Sequence, residues 1–238
     1  MKSKLFLFFA IVSVAGMLAI SGCDRDDDDQ SNRRNGRNTG TLNGHEWVDL
    51  GLPSGLLWAT CNVGATSPED FGSYFAWGET TPKNSYIPSN YRYSGDNNTF
   101  TKYCNLSSYG NNGFTDNLTT LVASDDAATA NWGSNWRMPT RKEMDELVNN
   151  CTIIWTTQNG VDGSLFTGPN GNSIFLPATG MNSDGLSGLN GSALYWTSSL
   201  NTAGPDKAID LTMEPGSCFV NINGGYRDYG LAVRPVCE

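Results

Sequence analysis

The stretch that decides the fold reads WGSNWRMPT over residues 132–140 and continues as RKEMDELVN over residues 141–149. Pro139 ends the first stretch's extended part, Thr140 is a preferred helix-capping residue, and Glu143 follows three positions later, which is the signature of a capping box. Apolar side chains then recur at helical spacing along one face, at Met144, Leu147, Val148 and Cys151. We therefore predict a helix over the second stretch, with its apolar face in the core.

Downstream of this helix the chain is strand-like. Short runs rich in β-branched and aromatic residues alternate with Gly, Asn-Gly and Pro-Gly turn signals. The predicted strands are Thr152–Thr157, Ser173–Pro177, Ala193–Ser199, Ala208–Met213, Cys218–Ile222 and Leu231–Val236.

Upstream of the helix, Glu46–Leu52 and Leu56–Val63 flank a Pro-Ser-Gly turn and predict a hairpin. A cap residue followed by proline at Ser67-Pro68 predicts a short helix. Another short helix is predicted at Asp125-Asp126, where acids complement the N-terminal partial charge; a calcium site is the alternative. Tyr86–Asn117 is rich in Asn, Ser and Gly and predicts a loop. Few helices, many short strands and long loops indicate an α+β fold.

The composition excludes several classes of function. The 238 residues carry a formal net charge of −9 without a visible basic patch, which argues against nucleic-acid binding. The single histidine, His45, lies at the edge of the domain, so we expect neither a multi-histidine metal site nor a well-placed general base. The seven Trp residues are expected in the core, with one or two exposed. We predict no metal site and no cofactor.

The N-terminus resembles an export signal. Lys2 and Lys4 precede the apolar run Leu5–Ile20, and residues 20–23 read ISGC. A basic start, a short apolar core and small residues before the cut are typical of a secretory signal peptide. The ISGC ending resembles a bacterial lipobox, in which Cys23 is lipidated; an ordinary cleaved signal is the alternative. The predicted organisation is a signal peptide (1–22), a lipidated cysteine with an acidic flexible stalk (23–43) and a single domain (44–238).

An acidic run, DRDDDD, occupies residues 24–29 directly after this cysteine. Its like charges repel one another and keep a tether extended and solvated. The run also resembles the acidic export signal behind the lipid-bearing cysteine of Bacteroidetes surface lipoproteins. That resemblance implies an address on the outer face of the outer membrane.

Five short motifs lie in register along the domain. They are WVDLGLPSG (47–55), WATCNVGA (58–65), WGSNWRMPT (132–140), NSIFLPATG (172–180) and YWTSS (195–199) with AVRPV (232–236). Their order and spacing resemble the Fibrobacter succinogenes major paralogous domain, which is abundant in surface lipoproteins of Bacteroidales. That family is similar to the C-type lectin fold, and its WRMPT segment is similar to formylglycine-generating enzymes. The resemblance implies antiparallel sheets, two flanking helices and long loops.

The resemblance also implies a ligand-binding region. Some relatives are diversified by retroelements in their last strands, and the equivalent stretch here is Lys207–Tyr229. Tyr, Asn, Arg and Asp side chains form an adaptable binding surface. The candidate ligand-binding residues are Asp210, Phe219, Asn221, Asn223, Tyr226, Arg227, Asp228 and Tyr229. The alternative is that they are merely the solvent-facing positions of terminal strands.

The chain departs from two related activities. Calcium-dependent sugar-binding lectins carry Glu-Pro-Asn or Gln-Pro-Asp together with Trp-Asn-Asp, whereas this chain has Glu214-Pro215-Gly216 and no Trp-Asn-Asp. No cysteine lies in a motif that matches formylglycine-generating enzymes, so redox catalysis is not implied. Cys61 and Cys151 are expected to be buried free thiols, and Cys218 and Cys237 are candidates for a disulfide. Five cysteines follow Cys23, namely Cys61, Cys104, Cys151, Cys218 and Cys237, with no Cys-x-x-Cys spacing.

We therefore expect a surface lipoprotein whose domain binds an extracellular glycan or protein through its C-terminal strands and loops. It would contact the outer membrane through its lipid anchor alone. We expect no enzyme, because no catalytic constellation stands out among the 24 acidic residues. The alternatives are a carbohydrate-active or modifying enzyme on the same fold and a structural, fimbrial-type surface component.

Overall fold

Strand pairing into three sheets organises residues 38–238, which are the residues described by this computed structural model. The signal peptide, Cys23 and the acidic run lie outside the described residues. The first sheet is formed, in spatial order, by β1 (Thr39–Leu42), β2 (His45–Asp49), β3 (Leu57–Ala59) and β12 (Val236–Cys237). The antiparallel pairing of β2 with β3 confirms the predicted hairpin.

The other two sheets contain most of the strands. One hairpin-linked sheet consists of β4 (Thr152–Gln158), β5 (Val161–Thr167) and β6 (Ser173–Pro177), in that order. The largest sheet contains β7 (Thr179–Asn182), β8 (Leu186–Leu189), β9 (Ala193–Leu200), β10 (Lys207–Glu214) and β11 (Ser217–Tyr226). Its spatial order is β11-β10-β9-β7-β8, so β8 and β11 form its two edges. The architecture is α+β and mostly antiparallel β, as the sequence pattern predicts.

Within residues 38–238, two α-helices accompany the sheets. Helix α1 (Ala127–Trp132) begins at Asp126, whose carboxylate accepts a hydrogen bond from the Thr129 backbone N–H. Helix α2 (Arg141–Asn150) begins at Thr140 with both halves of the predicted capping box formed. The apolar face of α2 packs inward, and Met144 and Leu147 are fully buried. These findings confirm the predicted helix and the predicted capping role of Asp126.

The sheets separate two hydrophobic cores. Alternate residues of β9 point to opposite faces, so Trp196 enters one core and Tyr195 enters the other. The loop-side core is rich in aromatic rings and includes Trp47, Phe75, Trp77, Tyr91, Phe100, Tyr103, Trp136 and Trp196. The helix-side core is more aliphatic and includes Leu50, Leu56, Met144, Leu147, Leu176, Leu211 and Val236. Every Trp except the half-buried Trp155 is buried, which confirms the expectation for this residue type.

The connection from β3 to α1, residues 60–126, is a single irregular segment that we call the long loop. Within this fully described segment the regular structure is limited to three-residue 3-10 turns and isolated bridges. Backbone contacts fasten it to the core; Phe75 and Leu231, for example, exchange hydrogen bonds of 3.0 and 3.1 Å. The predicted loop at residues 86–117 is confirmed.

Tight turns in the structure use left-handed backbone conformations. Asn43 closes the β1–β2 hairpin and Asn159 closes the β4–β5 hairpin, each with a positive φ and a following glycine. Six of the eight non-glycine residues with positive φ are asparagines, namely Asn43, Asn97, Asn98, Asn112, Asn159 and Asn190. Asparagine tolerates this region better than other chiral residues, because its short polar side chain can bond locally.

Two secondary-structure predictions are wrong. Ser67-Pro68 does not begin a helix, because the Asp70 carboxylate accepts hydrogen bonds from the Thr66 and Ser67 backbone N–H groups and closes a local turn instead. Residues 231–235 do not form a strand; they make single bridges to different neighbours, including Phe75. Only Val236–Cys237 pairs as a strand at this end.

The cysteine predictions have mixed outcomes. Cys61 and Cys151 carry free thiols, as expected, although both are half-buried rather than fully buried. The thiol of Cys218 is also free, so the suggested bridge to Cys237 is wrong. The reason is topological, because β11 and β12 belong to different sheets. Burial raises the pKa of Cys151 to about 11 and that of Cys218 to about 12, which keeps both as unreactive thiols at neutral pH.

Candidate ligand-binding surface

Seven of the eight predicted site residues lie on β11 or on the turn that follows it, and Asp210 lies on the neighbouring strand β10. Phe219 and Tyr226 are 46% and 45% exposed, and Asn223 is also exposed. Asn221, Asp228 and Tyr229 are half-buried, whereas Asp210 and Arg227 are fully buried. We call the accessible set the β11 surface; it consists of Phe219, Asn221, Asn223, Tyr226, Asp228 and Tyr229.

An enlarged β-bulge, with three residues opposite one, shapes the middle of β11. Ala208 pairs with Gly225 and Asp210 pairs with Asn221, so three residues of β11 stand opposite Ile209. The side-chain oxygen of Asn221 accepts hydrogen bonds from the backbone N–H groups of Asn223 and Gly224, each at 3.2 Å. These two bonds fix the bulge. Gly224 is required here, because its φ is +70° and a Cβ atom would lie 2.2 Å from the Ala208 carbonyl oxygen.

The bulge turns one further apolar side chain outward. Ile222 is 54% exposed and stands beside the predicted residues, although sequence reasoning omitted it. The Asn-Ile-Asn-Gly run at residues 221–224 is the signal that could have indicated a bulge, because glycine in a strand often marks one. Ile222 therefore joins Phe219 as an exposed apolar group on this edge strand.

Asp210 supports the bulge from below and does not face solvent. Its carboxylate accepts hydrogen bonds from the Thr212 hydroxyl at 2.8 Å, from the Asn221 amide at 3.3 Å and from the Gly225 backbone N–H. Burial raises the pKa of Asp210 to about 6. The prediction that Asp210 contacts a ligand is corrected, because no part of this residue is exposed.

Arg227 also points inward, although it lies between two members of the β11 surface. In the turn after β11 its guanidinium enters the loop-side core, 4.5 Å from the centre of the Phe100 ring. The residue is 0% exposed. Its prediction as a direct ligand contact is corrected for the same reason as that of Asp210.

Two tyrosines form an aromatic platform at the end of β11. The Tyr226 and Tyr229 rings meet edge to face with centroids 5.5 Å apart, and the Tyr229 backbone N–H donates to the Tyr226 carbonyl at 3.0 Å. Lys207 Nζ lies 4.9 Å from the Tyr226 ring centre. Burial raises the pKa of the Asp228 carboxyl beside them. The platform offers ring faces, a cation and hydrogen-bonding groups on a backbone fixed by the turn.

Two further titratable groups away from this surface, Asp125 and His45, have structural partners. The Asp125 carboxylate pairs with Lys102 Nζ at 2.5 Å and accepts a hydrogen bond from the Tyr103 hydroxyl at 2.6 Å. His45 stacks on Trp132 with ring centroids 3.7 Å apart, and burial lowers its pKa. Within residues 38–238, no three His, Cys, Asp or Glu side chains come together as a metal site.

The long loop forms a shallow polar depression whose lining contains no residue of β11. Its lining contains Ser89, Ser94, Asp96, Asn97, Asn111 and neighbouring residues. It offers hydrogen-bonding groups, but its lining contains no aromatic ring on which a sugar or peptide group could stack. The β11 surface combines both kinds of group and is therefore the stronger candidate.

In comparisons with known proteins, no protein-family model, no curated protein and no solved structure matches this chain. In the described part of the chain, helices are too short or too polar to cross a membrane.

Proposed function

We propose that this chain is a surface-anchored lipoprotein whose domain, residues 44–238, binds an extracellular glycan or protein through the β11 surface. Its anchor is the lipid on Cys23, and its address is the outer membrane facing the cell exterior. The leader, the lipobox-like ending and the acidic run support this address.

We extend the proposal to the fold, which we assign to the C-type-lectin-like class. Antiparallel sheets, two helices beside them and one long irregular loop agree with what the motif resemblance implies. The five motifs that carry the resemblance to the major paralogous domain remain its principal support. The α+β class itself does not depend on this assignment.

The observation that carries the binding proposal is the arrangement of exposed aromatic side chains over buried polar supports. Phe219 and Tyr226 hold nearly half of their surface in solvent, while Asp210 and Arg227 beneath them are fully buried. Rigid aromatic side chains lose little conformational entropy on binding, and asparagine and aspartate beside them supply hydrogen bonds. Aromatic rings with a purely structural role would stabilise the fold more if other residues covered them, so their exposure favours a role in binding.

The proposal predicts that three single substitutions, Phe219→Ala, Tyr226→Ala and Tyr229→Ala, reduce retention of the purified domain on glycan and protein arrays at least tenfold. The melting temperature should stay nearly unchanged for Phe219 and Tyr226, because neither side chain belongs to the two hydrophobic cores. Matched controls are Phe114→Ala and Ile154→Ala, which remove apolar groups of 37% and 55% exposure far from β11 in the chain. Their retention should equal that of the wild type.

The same arrays test the anchor when whole cells are applied. Cells that carry the full chain should be retained. The Cys23→Ser substitution should abolish retention of the cells, while the purified Cys23→Ser protein still binds the array. Equal retention of all β11 variants and the wild type would show that another surface binds the ligand. Turnover of an array glycan that disappears on replacing one acid would instead identify a carbohydrate-active enzyme.

A further inference from the structure

We propose that Arg227 is a positioning residue, which clamps the long loop to the turn that presents Tyr226, Asp228 and Tyr229 for ligand. The inference rests on the proposed function, because it assigns a role within the same surface. It goes beyond that function in naming a buried residue, with no ligand contact of its own, on which binding depends.

The first support is the aromatic cage around the guanidinium. The Arg227 guanidinium carbon lies 4.5 Å from the ring centre of Phe100, 5.1 Å from that of Trp77 and 5.2 Å from that of Tyr91. All three rings belong to the long loop and are buried. The negative ring faces attract the cation where water is excluded. Among residues 38–238 none of the ion pairs involves Arg227. The aromatic rings and the carbonyl dipoles around it therefore stabilise its positive charge.

The second support is the set of hydrogen bonds. Nη2 donates to the Lys102 carbonyl at 3.0 Å, and Nη1 donates to the Tyr103 carbonyl at 3.1 Å. Nη1 also donates to the Pro205 carbonyl at 2.9 Å, and Nε donates to the Tyr91 hydroxyl at 3.0 Å. These carbonyl groups lie outside the strand ladders. One side chain thus joins the long loop to the β9–β10 turn.

The third support is a backbone conformation at the clamped site. Tyr103 has a φ of +55°, which a bulky residue rarely adopts and which persists only where the surroundings fix it. The Asp116 carboxylate accepts a hydrogen bond from the Tyr103 backbone N–H at 2.8 Å, and Arg227 binds the Tyr103 carbonyl. Arg227 therefore supplies two of the four hydrogen bonds that hold the peptide groups flanking this residue, and Asp116 supplies the other two.

The clamp acts on the binding platform through the backbone of Arg227 itself. Its N–H donates to the Asp206 carbonyl at 3.1 Å, and its carbonyl accepts a hydrogen bond from the Trp77 N–H at 2.8 Å. Tyr226 and Asp228 are its covalent neighbours, so the inward side chain fixes the outward directions of both. Lysine cannot replace it, because one ammonium group cannot reach four acceptors in the planar arrangement of a guanidinium.

The experiment compares Arg227→Ala and Arg227→Lys with Arg234→Ala. Arg234 is the matched control, because it is also fully buried and donates four hydrogen bonds but lies away from the platform. The measurements are backbone hydrogen exchange and retention on the array that retains the wild type, each with and without millimolar methylguanidinium chloride. Methylguanidinium is the probe, because it fits the cage that the Ala variant vacates.

We expect both Arg227 variants to exchange amide hydrogens at least tenfold faster over residues 91–104 and to lose at least tenfold in retention. Exchange over β4 and β5 should stay at the wild-type rate. Methylguanidinium should restore both quantities in Arg227→Ala. It should not restore them in Arg227→Lys, whose own side chain occupies the cage. Arg234→Ala should keep wild-type retention under conditions where it is folded.

Several outcomes separate this inference from the proposed function. Wild-type exchange and retention in both Arg227 variants would overturn the inference, and so would an equal rise of exchange over residues 91–104 and over β4 and β5. Loss of retention in Tyr226→Ala together with normal retention in Arg227→Lys would leave the function intact and reject the clamp. Restored exchange by methylguanidinium without any retention of the wild type would support the clamp and reject the function.

Discussion

The two hydrophobic cores contain one fully buried arginine each, and the two arginines are used differently. Arg234, next to the helix-side residue Tyr195, donates to the Asn62 side chain and to carbonyls at the end of β3 and in β6. It therefore joins two sheets that already have their own ladders. Arg227 binds the irregular backbone of the long loop, where no ladder is available.

The difference teaches how a chain with long loops meets the requirement that buried polar groups be hydrogen-bonded. In the helix-side half, neighbouring strands satisfy most backbone groups, and a side chain adds a link between sheets. In the loop-side half, side chains such as Arg227 and Asp116 hydrogen-bond the backbone groups that a neighbouring strand would otherwise pair. Polar side chains are therefore buried in this half for structural reasons, and a buried charge there does not by itself indicate a catalytic group.

The largest expected effect concerns Arg234. Arg234→Met leaves four buried acceptors without their donor, so we expect the free energy of unfolding to fall by about 4 kcal/mol. Urea denaturation followed by Trp fluorescence measures it. The control is Arg141→Met, which removes a half-exposed partner of Asp145 and should change stability by no more than about 0.5 kcal/mol. A loss as small as that of the control would mean that the sheets do not need this link.

An intermediate effect concerns Asp210, on the loop-side face of the largest sheet. Its folded pKa is raised from 3.8 to about 6, so the folded state holds this proton more tightly than the unfolded state. Its contribution to stability is therefore complete below pH 3.8 and is lost as the pH rises through about 6. This loss amounts to about 3 kcal/mol.

Asp210→Asn removes this titration. Between pH 4 and pH 7 the unfolding free energy of the variant should therefore rise by about 2 kcal/mol relative to that of the wild type, which is most of the full change. Urea denaturation at a series of pH values measures both curves. Curves that run parallel over this range would show that the carboxyl titrates in the folded protein as it does in the unfolded chain.

The smallest effect concerns the helix-side half alone. Thr140→Ala removes the hydroxyl that accepts a hydrogen bond from the Glu143 N–H and should cost about 1 kcal/mol. Thr140→Ser keeps the hydroxyl and serves as the control. Thermal unfolding measures both variants, and equal melting temperatures for the two would deny the cap its role. Retention on the arrays should be unaffected in either variant.

Local sequence was sufficient wherever neighbours along the chain decide the structure. The α2 cap follows from Thr140 and Glu143. The bounds of β6 were predicted without error, because this short apolar run follows a turn signal and ends at a proline. It was insufficient at Ser67-Pro68, where the Asp70 carboxylate takes the N–H groups that would begin a helix. Residues 231–235 have strand composition but pass between several partners, which only the tertiary arrangement decides.

The candidate surface shows the same division. The predicted strand Cys218–Ile222 lies within β11 and includes Phe219, whereas Tyr226 ends β11 beyond the predicted bounds. The inward direction of Arg227 could not be predicted, because it depends on a turn and on rings that come from more than 100 positions earlier in the chain. The burial of Asp210 could not be predicted for a related reason, since the bulge that covers it involves a register shift between β10 and β11.

The asparagines with left-handed backbone conformations reduce the conformational entropy that the many loops lose on folding. A glycine at each position would adopt the same conformation but would give the unfolded chain more freedom to lose. By analogy with Gly→Ala substitutions at compatible sites, each asparagine raises the free energy of unfolding by about 0.5 kcal/mol relative to glycine. Over the six positions this restriction contributes on the order of 3 kcal/mol. The asparagine excess of the chain is thus a form of stabilisation that no contact in the folded protein displays.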